Sequence, residues 1–266
     1  MRFIRPPQLW DYGVIMENLR IFLNGCNGHM GKVIADICSR TDGVQIVAGA
    51  DIQTTPCAFP VYSSATDCKE DFDAIIDFSH INSFASVLSL AETRSKPIVM
   101  CTTGLSEDNK KQLHLLSEKV AVFHSANMSW GVSVIINLVK KATEILYPDF
   151  DIELVEAHHN RKIDAPSGTA LMIADAINST ISDDLEYVYD RHNDRHPREK
   201  NTIGIHTIRG GNIVGDHTVI FAGPEDNIQI SHSALTRDVF ARGAVKAAQF
   251  ISKLGPGLYS MNDLVK

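Results

Sequence analysis

Residues 19–31 read LRIFLNGCNGHMG and predict the class of the fold. Residues 19–23 are a short, mainly apolar run that is typical of a buried β-strand. Asn24 and Gly25 then predict a turn, and beyond it apolar side chains recur with the period of an amphipathic helix. These side chains are Met30, Val33, Ile34, Ile37 and Cys38. A strand, a tight turn and a helix in this order form the opening unit of an α/β fold.

The turn contains Gly25, Gly28 and Gly31 in the spacing G-x-x-G-x-x-G. In a dinucleotide-binding turn, one glycine allows the bend, a second lets the pyrophosphate approach the backbone, and a third lets the helix pack on the strand. The amino end of the helix then offers N–H groups and a positive dipole end to the phosphates. The spacing differs by one residue from the usual G-x-G-x-x-G, so a tight turn without a ligand remains the alternative.

A second strand is predicted over residues 44–50, and Asp51 follows it. An acidic residue at this place accepts hydrogen bonds from the ribose diol of the nucleotide. Residues 52–55 contain no Arg or Lys to pair with a 2′-phosphate, which Asp51 would repel. We therefore expect NADH to be favoured and NADPH to be possible, since a cation can also arrive from elsewhere in the fold.

The rest of the chain has two rhythms. Up to Asn127, strands alternate with helices, which predicts a Rossmann-like parallel sheet. After a helix over residues 132–146, strand-like stretches come close together, which indicates a smaller α+β domain with a mostly antiparallel sheet. A helix over residues 168–178 interrupts these strands. Residues 183–200 are charged and predict an exposed loop, and residues 238–254 predict a last helix.

Composition excludes several classes of protein. The 266 residues include 25 Lys and Arg against 32 Asp and Glu, a formal charge of -7, so we expect no nucleic-acid partner. No apolar run is long enough to cross a bilayer, and residues 1–18 resemble an appended tail without a secretion signal. The five cysteines form no C-x-x-C pair, which favours reduced thiols in the cytoplasm over a disulfide framework or a zinc site.

Residues 156–170 read EAHHNRKIDAPSGTA and concentrate positive charge, because His158, His159, Arg161 and Lys162 fall within five positions. A helix that begins after Ser167 adds a second amino end that can bind an anion. Cations and helix N–H groups suit a small dicarboxylate, and a histidine can donate a proton near neutral pH. A solvated basic loop is the alternative. We expect no metal, because adjacent histidines on a strand point to opposite faces.

These segments resemble the 4-hydroxy-tetrahydrodipicolinate reductase (dihydrodipicolinate reductase) family, from about residue 19 to the C-terminus. The most specific segment is residues 156–170. The resemblance implies reduction of a cyclic dicarboxylate imine to tetrahydrodipicolinate with NADH or NADPH, for lysine and diaminopimelate biosynthesis. It also implies a homotetramer with a hinge between two domains. The supporting segments are residues 25–31, 101–104, 127–129, 215–219 and 231–240.

The resemblance implies a role for single residues. His158 would donate the proton, and Lys162 would bind a substrate carboxylate or donate a proton. His159 and the backbone of Gly168 and Thr169 would bind the substrate. The expected nucleotide contacts are Gly25, Cys26, Asn27, Gly28, His29, Met30, Asp51, Cys101, Thr102, Thr103, Ser125, Ala126, Asn127 and Met128.

In this family the last helix returns to the dinucleotide-binding domain. We therefore expect a tail over residues 1–18, a dinucleotide-binding domain over 19–127 with 238–266, and a substrate-binding and tetramerisation domain over 128–237. The sequence departs from the family at Cys101, which adds a side chain near the nicotinamide, and at Ile52, where members that use both cofactors carry Arg. Arg209, His232 and Arg237 would add positive charge without an assigned role.

Two other functions remain open from the residues. Another two-domain NAD(P)-dependent dehydrogenase of amino-acid metabolism would share the glycine turn, but it has no need of the cluster at residues 156–170. A nucleotide-sensing binding module would keep the turn and would need no proton donor.

Overall fold

A computed structural model of the chain describes residues 18–125, 127–182, 184–193 and 196–265. This part of the chain forms twelve strands and seven α-helices. The strands are β1 (Leu19–Asn24), β2 (Val44–Ala50), β3 (Val61–Tyr62), β4 (Ala74–Asp77), β5 (Ile98–Met100), β6 (Ala121–His124), β7 (Asp151–His158), β8 (Glu186–Val188), β9 (Thr202–Arg209), β10 (Gly215–Ala222), β11 (Asn227–Ala234) and β12 (Gly257–Tyr259). The helices are α1 (His29–Ser39), α2 (Phe84–Arg94), α3 (Glu107–Ser117), α4 (Trp130–Leu146), α5 (Gly168–Asn178), α6 (Asp238–Ile251) and α7 (Met261–Leu264).

The first sheet contains seven parallel strands in the order β12-β6-β5-β4-β1-β2-β3. The strand order reverses beside β1, because β2 follows on one side and β4 on the other. Ligands of open parallel sheets bind at the carboxyl ends of the strands near such a reversal. The Rossmann-like sheet predicted from the sequence is confirmed.

Both faces of this sheet are covered, as parallel sheets require. Ile21 and Leu23 of β1 belong to a core that includes side chains of α1 and α6, whereas Phe22 belongs to a second core with side chains of α2 and α3. The strand is therefore apolar at successive positions, which is why residues 19–23 predict it so clearly. The strand β12 near the C-terminus pairs with β6, at the edge of the same sheet.

The second sheet has five strands in the order β11-β10-β7-β9-β8. The pairs β11–β10 and β10–β7 are antiparallel, whereas β7–β9 and β9–β8 are parallel, so the sheet is mixed. Ile152 and Leu154 of β7 pack in one core with side chains of α4 and α5. Because successive strand residues alternate between faces, Glu156 and His158 lie on this helix-covered face. Val155 and Ile220 lie on the other face and are half-buried.

Some elements differ from the sequence expectations. Strand β8 lies within residues 183–200, which the charged composition predicts to be a loop. Its pairing with β9 stabilises a strand that the local sequence does not predict. The short elements β3, β12 and α7 are not evident from periodicity because each is four residues or shorter. Residues 1–17 of the expected tail lie outside the described residues. None of the described helices combines the length and the hydropathy that a membrane-spanning segment requires.

Candidate active site

The glycine turn has the geometry that its spacing predicts. Gly25 has a φ of +82°, and a Cβ there would lie 2.5 Å from the carbonyl oxygen of Phe78. A Cβ at Gly31 would lie 2.1 Å from the carbonyl oxygen of Gly25, so only glycine lets α1 approach the turn. Gly28 precedes the first residue of α1, and no side chain of the described residues caps that helix end. The amino end of α1 is therefore available to an anion.

Asp51 lies directly beside this turn. Its Oδ2 atom accepts a hydrogen bond from the backbone N–H of Asn27 at 3.0 Å, and its Oδ1 atom accepts one from Gln53 at 3.0 Å. The side-chain Nδ2 of Asn27 donates to the carbonyl oxygen of Thr55 at 3.1 Å. These bonds connect the end of β2 to the turn.

The other residues of the turn differ in exposure. Cys26 is buried, and burial raises the pKa of its thiol to about 12, so its side chain serves as packing. Gly28 and His29 are exposed, and Met30 packs partly against the core. The backbone of the turn is therefore open to a ligand, whereas the side chain of Cys26 is not.

A cavity of about 480 Å³ lies at the carboxyl ends of β5 and β6. It is lined by all but one of the nucleotide contacts predicted after these strands, and Ala126 lies outside the described residues. The predicted residues at its wall are Cys101, Thr102, Thr103, Ser125, Asn127 and Met128. His124, which ends β6, also lines the cavity, as its place at the end of a strand allows. Sequence reasoning missed Lys110 as a lining residue, together with Phe240 of α6.

A buried carboxyl group, Asp77, lies at the end of β4 next to this cavity. It accepts hydrogen bonds from Asn24 Nδ2 at 2.8 Å, Ser79 Oγ at 2.6 Å and Thr102 Oγ1 at 2.7 Å. Burial raises the pKa of Asp77 even though these neutral donors act to lower it. Burial also raises the pKa of the Cys101 thiol well above its usual range, so this thiol is neutral.

The cluster predicted over residues 156–170 has a second buried carboxylate at its centre. Glu156 is fully buried and accepts a hydrogen bond from His158 Nδ1 at 2.6 Å. Arg209 holds both carboxylate oxygens, at 2.9 and 2.8 Å. Burial acts to raise the pKa of Glu156, but the bonds from Arg209, His158 and Thr207 outweigh it and lower the pKa to about 2.

The remaining cations lie on the loop that follows β7. Lys162 Nζ is 2.9 Å from Asp164 Oδ2, and the Arg209 guanidinium donates to the carbonyl oxygen of Asp164 at 2.7 Å. His159 Nε2 is 3.4 Å from Arg237 Nη2. Partial desolvation and the charges of nearby arginines lower the pKa of His159. Arg209 and Arg237 therefore add to the positive charge that residues 156–170 already contain.

The amino end of α5 adjoins the cluster. Ser167 Oγ accepts a hydrogen bond from the N–H of Ala170 at 3.1 Å and lies 3.0 Å from His217 Nε2. Burial, followed by the charge of His158, lowers the pKa of His217 to about 4, so this imidazole is neutral near pH 7. A Cβ at Gly168 would meet no atom within 4 Å, which leaves open space at the helix end.

His158 has a close neighbour on β10. A Cβ at Gly215 would lie 3.0 Å from Nε2 of His158. The His158 and His217 rings also meet edge to face, with centroids 5.3 Å apart. The imidazole of His158 is thus fitted between a glycine, a neutral histidine and a carboxylate.

One hydrogen bond joins the two predicted sites. Asn127 Nδ2 donates to Thr169 Oγ1 at 3.0 Å, so a residue that lines the cavity contacts the first turn of α5. Ser125 Oγ also donates to the backbone carbonyl of Asn127 at 3.0 Å. The nucleotide side and the anion-binding side therefore meet at Asn127.

Both halves of the chain match family models. The model for the N-terminus of dihydrodipicolinate reductase matches residues 19–128, and the model for its C-terminus matches residues 131–265. The chain belongs to the dihydrodipicolinate reductase family. It is an NAD(P)H-dependent oxidoreductase, as the members of this family are.

Individual relatives agree with this membership. The chain is 51% identical over 248 residues to the 4-hydroxy-tetrahydrodipicolinate reductase of Caldanaerobacter subterraneus, covering 93% of this chain and 98% of the relative. It is 44% identical to the reductase of Clostridium botulinum over the same shares of both chains. The fold is similar to that of the dipicolinate-bound dihydrodipicolinate reductase from Paenisporosarcina sp., with a TM-score of 0.78, 20% identity, and coverage of 92% and 99% of the two chains.

Proposed function

We propose that this chain is a 4-hydroxy-tetrahydrodipicolinate reductase, which reduces a cyclic dicarboxylate imine to tetrahydrodipicolinate in lysine and diaminopimelate biosynthesis. Its relatives carry this name at up to 51% identity among those compared above. The observation that supports it best is the 3.0 Å bond between Asn127 and Thr169, because a two-substrate reduction needs both sites in one cleft.

The turn at residues 25–31 fits a dinucleotide. Gly25 and Gly31 lie where any Cβ would clash, and the end of α1 carries no capping side chain among the described residues. In our proposal this backbone binds the pyrophosphate, Asp51 accepts from a ribose, and the cavity wall holds the nicotinamide. The bound cofactor supplies the hydride.

His159, Lys162 and the backbone N–H groups of Gly168 and Thr169 bind the two substrate carboxylates in this proposal. Charge-assisted hydrogen bonds from such donors are strong and directional. Partial desolvation and then the neighbouring cations lower the pKa of His159, and an arriving dianion would offset the effect of the cations by favouring its protonated form. Binding of substrate would then charge the site that holds it.

His158 is the proton donor in our proposal. Hydride added to a carbon conjugated with the imine leaves a negative charge shared between the imine nitrogen and a ring carbon, and an imidazolium next to that carbon can protonate it. Glu156 accepts a hydrogen bond from Nδ1 of the ring, so the other ring nitrogen, Nε2, faces the substrate in this proposal. The reacting carbons must lie about 3–3.5 Å apart, which closure of a hinged cleft can achieve.

The cofactor preference that we propose is NADH over NADPH. Asp51 is adjacent to Ile52, whose side chain is 94% exposed and carries no charge for a 2′-phosphate. We expect kcat/KM for NADH to exceed that for NADPH, and Asp51→Asn to narrow the ratio by weakening NADH use. A wild-type chain that prefers NADPH would contradict this.

We also propose two domains, residues 19–127 with 238–266 and residues 128–237, and a homotetramer in the cytoplasm. The face of the second sheet opposite α4 and α5 supports assembly, because it carries the half-buried apolar side chains of Val155 and Ile220 and the exposed one of Ile208. The cysteines of the described residues are free, as a reducing compartment would keep them. Light scattering should give four times the chain mass of 29.3 kDa, and a monomer would contradict the assembly.

The decisive experiment follows NADH absorbance with freshly prepared substrate. We expect oxidation in its presence, a strong loss of kcat with unchanged NADH affinity in His158→Gln, and a loss of both kcat and substrate affinity in Lys162→Ala. NADH binding without oxidation would favour a sensing module instead. Oxidation with amino acids or semialdehydes but not with this imine would favour another dehydrogenase.

A further inference from the structure

Glu156 accepts more hydrogen bonds than a single ion pair needs. Besides His158 and the two bonds from Arg209, it accepts one from the backbone N–H of Ser167 at 3.1 Å and one from Thr207 Oγ1 at 3.1 Å. The side chain is fully buried, so no solvent competes for these bonds. A buried carboxylate with five donors is held in one orientation, and it holds its donors in turn.

These donors come from separate parts of the candidate active site. His158 ends β7, and Ser167 precedes the first residue of α5, whose backbone N–H groups are the proposed anion site. Arg209 ends β9 and also donates to the carbonyl oxygen of Asp164, on the loop that carries Lys162. One carboxylate therefore contacts the proton donor, the helix end and, through Arg209, the lysine loop.

The negative charge of Glu156 also fixes the tautomer of His158. An ionised carboxylate can only accept hydrogen bonds, so the 2.6 Å contact requires that Nδ1 of His158 carries a hydrogen. The bidentate contact with Arg209 favours the ionised carboxylate. The neutral imidazole is thus restricted to the tautomer whose Nε2 is free of hydrogen.

We propose that Glu156 is a positioning residue of the reduction, which aligns His158, the amino end of α5 and the Lys162 loop with one another through Arg209. This rests on the proposed function of His158 as proton donor. Glu156 does not touch the substrate in this proposal; it acts by fixing the tautomer and the orientation of His158.

The chain provides a matched control on the same strand. Glu153 of β7 also contacts two arginines and a histidine: Arg191 at 3.0 Å, Arg198 at 2.8 Å and His206 Nε2 at 2.7 Å. It lies three residues from Glu156 and therefore on the opposite face of the sheet. A general loss of ion pairing would affect both variants, whereas positioning of His158 would affect only one.

The experiment compares wild type, Glu156→Gln and Glu153→Gln, with assembly checked by light scattering. We expect Glu156→Gln to lower kcat by at least about tenfold with KM for NADH unchanged, as the loss of a carboxylate that orients a reacting histidine does. Glu153→Gln should keep the wild-type kcat. Equal effects of the two variants, or a normal kcat in Glu156→Gln, would overturn the proposal.

A second measurement needs no turnover and is made on the wild-type protein. In wild-type protein with 15N-labelled histidine, two-bond 15N–1H correlations at high pH identify the tautomer of each neutral ring, and His158→Gln identifies the signal of His158. We expect the hydrogen on Nδ1; a hydrogen on Nε2 would overturn the proposal. A wild-type chain that shows the expected tautomer but no reductase activity would count against the proposed function alone.

Discussion

The two halves of the cleft each contain a fully buried carboxyl group, and the two groups behave in opposite ways. Asp77, beside the cavity of the parallel sheet, is bonded to an amide and two hydroxyl groups, and its pKa is raised. Glu156, in the mixed sheet, is bonded to Arg209 and His158, and its pKa is lowered to about 2. Burial is complete in both cases, so the donors account for the difference.

This difference indicates separate tasks. Neutral donors around Asp77 hold the ends of β1 and β4 and Thr102 together without adding charge next to the cavity. Cationic donors around Glu156 keep a fixed negative charge beneath the loop that we propose to bind the substrate. Neutral donors suit the side that we propose for the dinucleotide, and charged donors suit the side where we propose that a proton moves.

The largest expected effect is a loss of folding stability when Glu156 loses the guanidinium group of Arg209. Arg209→Met leaves the buried Glu156 charge without its bidentate partner, which we expect to lower the free energy of unfolding by about 3–5 kcal/mol. Thr102→Val removes one neutral donor from Asp77, and we expect a loss of about 1 kcal/mol. Urea unfolding followed by circular dichroism measures both. Similar losses in the two variants would erase the distinction between the halves.

The next effect is a pH dependence of opposite sign. Because the folded pKa of Glu156 is lowered, its contribution to stability is present above about pH 4.5 and declines as the pH falls toward 2. Asp77 has a raised folded pKa, so its contribution is present at acid pH and is lost as the pH rises. We therefore expect Glu156→Gln to be about 1 kcal/mol less destabilising at pH 4 than at pH 7.

For Asp77→Asn we expect the reverse, a smaller destabilisation at pH 7 than at pH 4. The asparagine amide can donate to the Thr102 hydroxyl, which already contacts the carbonyl oxygen of Ser79 at 3.1 Å. Parallel pH profiles for Asp77→Asn and Glu156→Gln would show that the two carboxyl groups are equivalent after all.

The smallest effect concerns the bond that joins the halves. A double-mutant cycle with Asn127→Ala and Thr169→Val should give a coupling energy of about 0.5–1.5 kcal/mol in the binding of a small, non-reacting dicarboxylate to the NADH-loaded protein. The reason is that the 3.0 Å bond links the cavity wall to the anion-binding helix. Additive effects of the two substitutions would mean that each half binds its ligand independently.

The sequence predicts the parts of the fold that depend on local order. The glycine turn, Asp51 and the cluster after β7 are contiguous stretches, and the structure has each of them in its expected element. Arg209 could not be assigned in this way, because its bond to Glu156 joins positions 53 residues apart. The register that pairs His158 with Arg209 is a property of the whole sheet.

Asp77 escaped sequence reasoning for a different reason. It ends a short apolar strand, where a single acidic residue resembles a strand terminus rather than a buried group. Only the convergence of Asn24, Ser79 and Thr102 from three segments shows what holds it. The mixed pairing of the second sheet is likewise decided by long-range contacts, since its strands alternate in the same manner whichever direction their neighbours run.

Gly215 shows that even a very small change next to His158 should impair the reaction that we propose. It lies 57 positions from His158 in the chain, yet its lack of a side chain leaves room beside the Nε2 atom. An alanine there would add one methyl group to a protein of 266 residues and would push the imidazole aside by a few tenths of an ångström. Loss of activity at this position would come from crowding alone, with every charged group of the site intact.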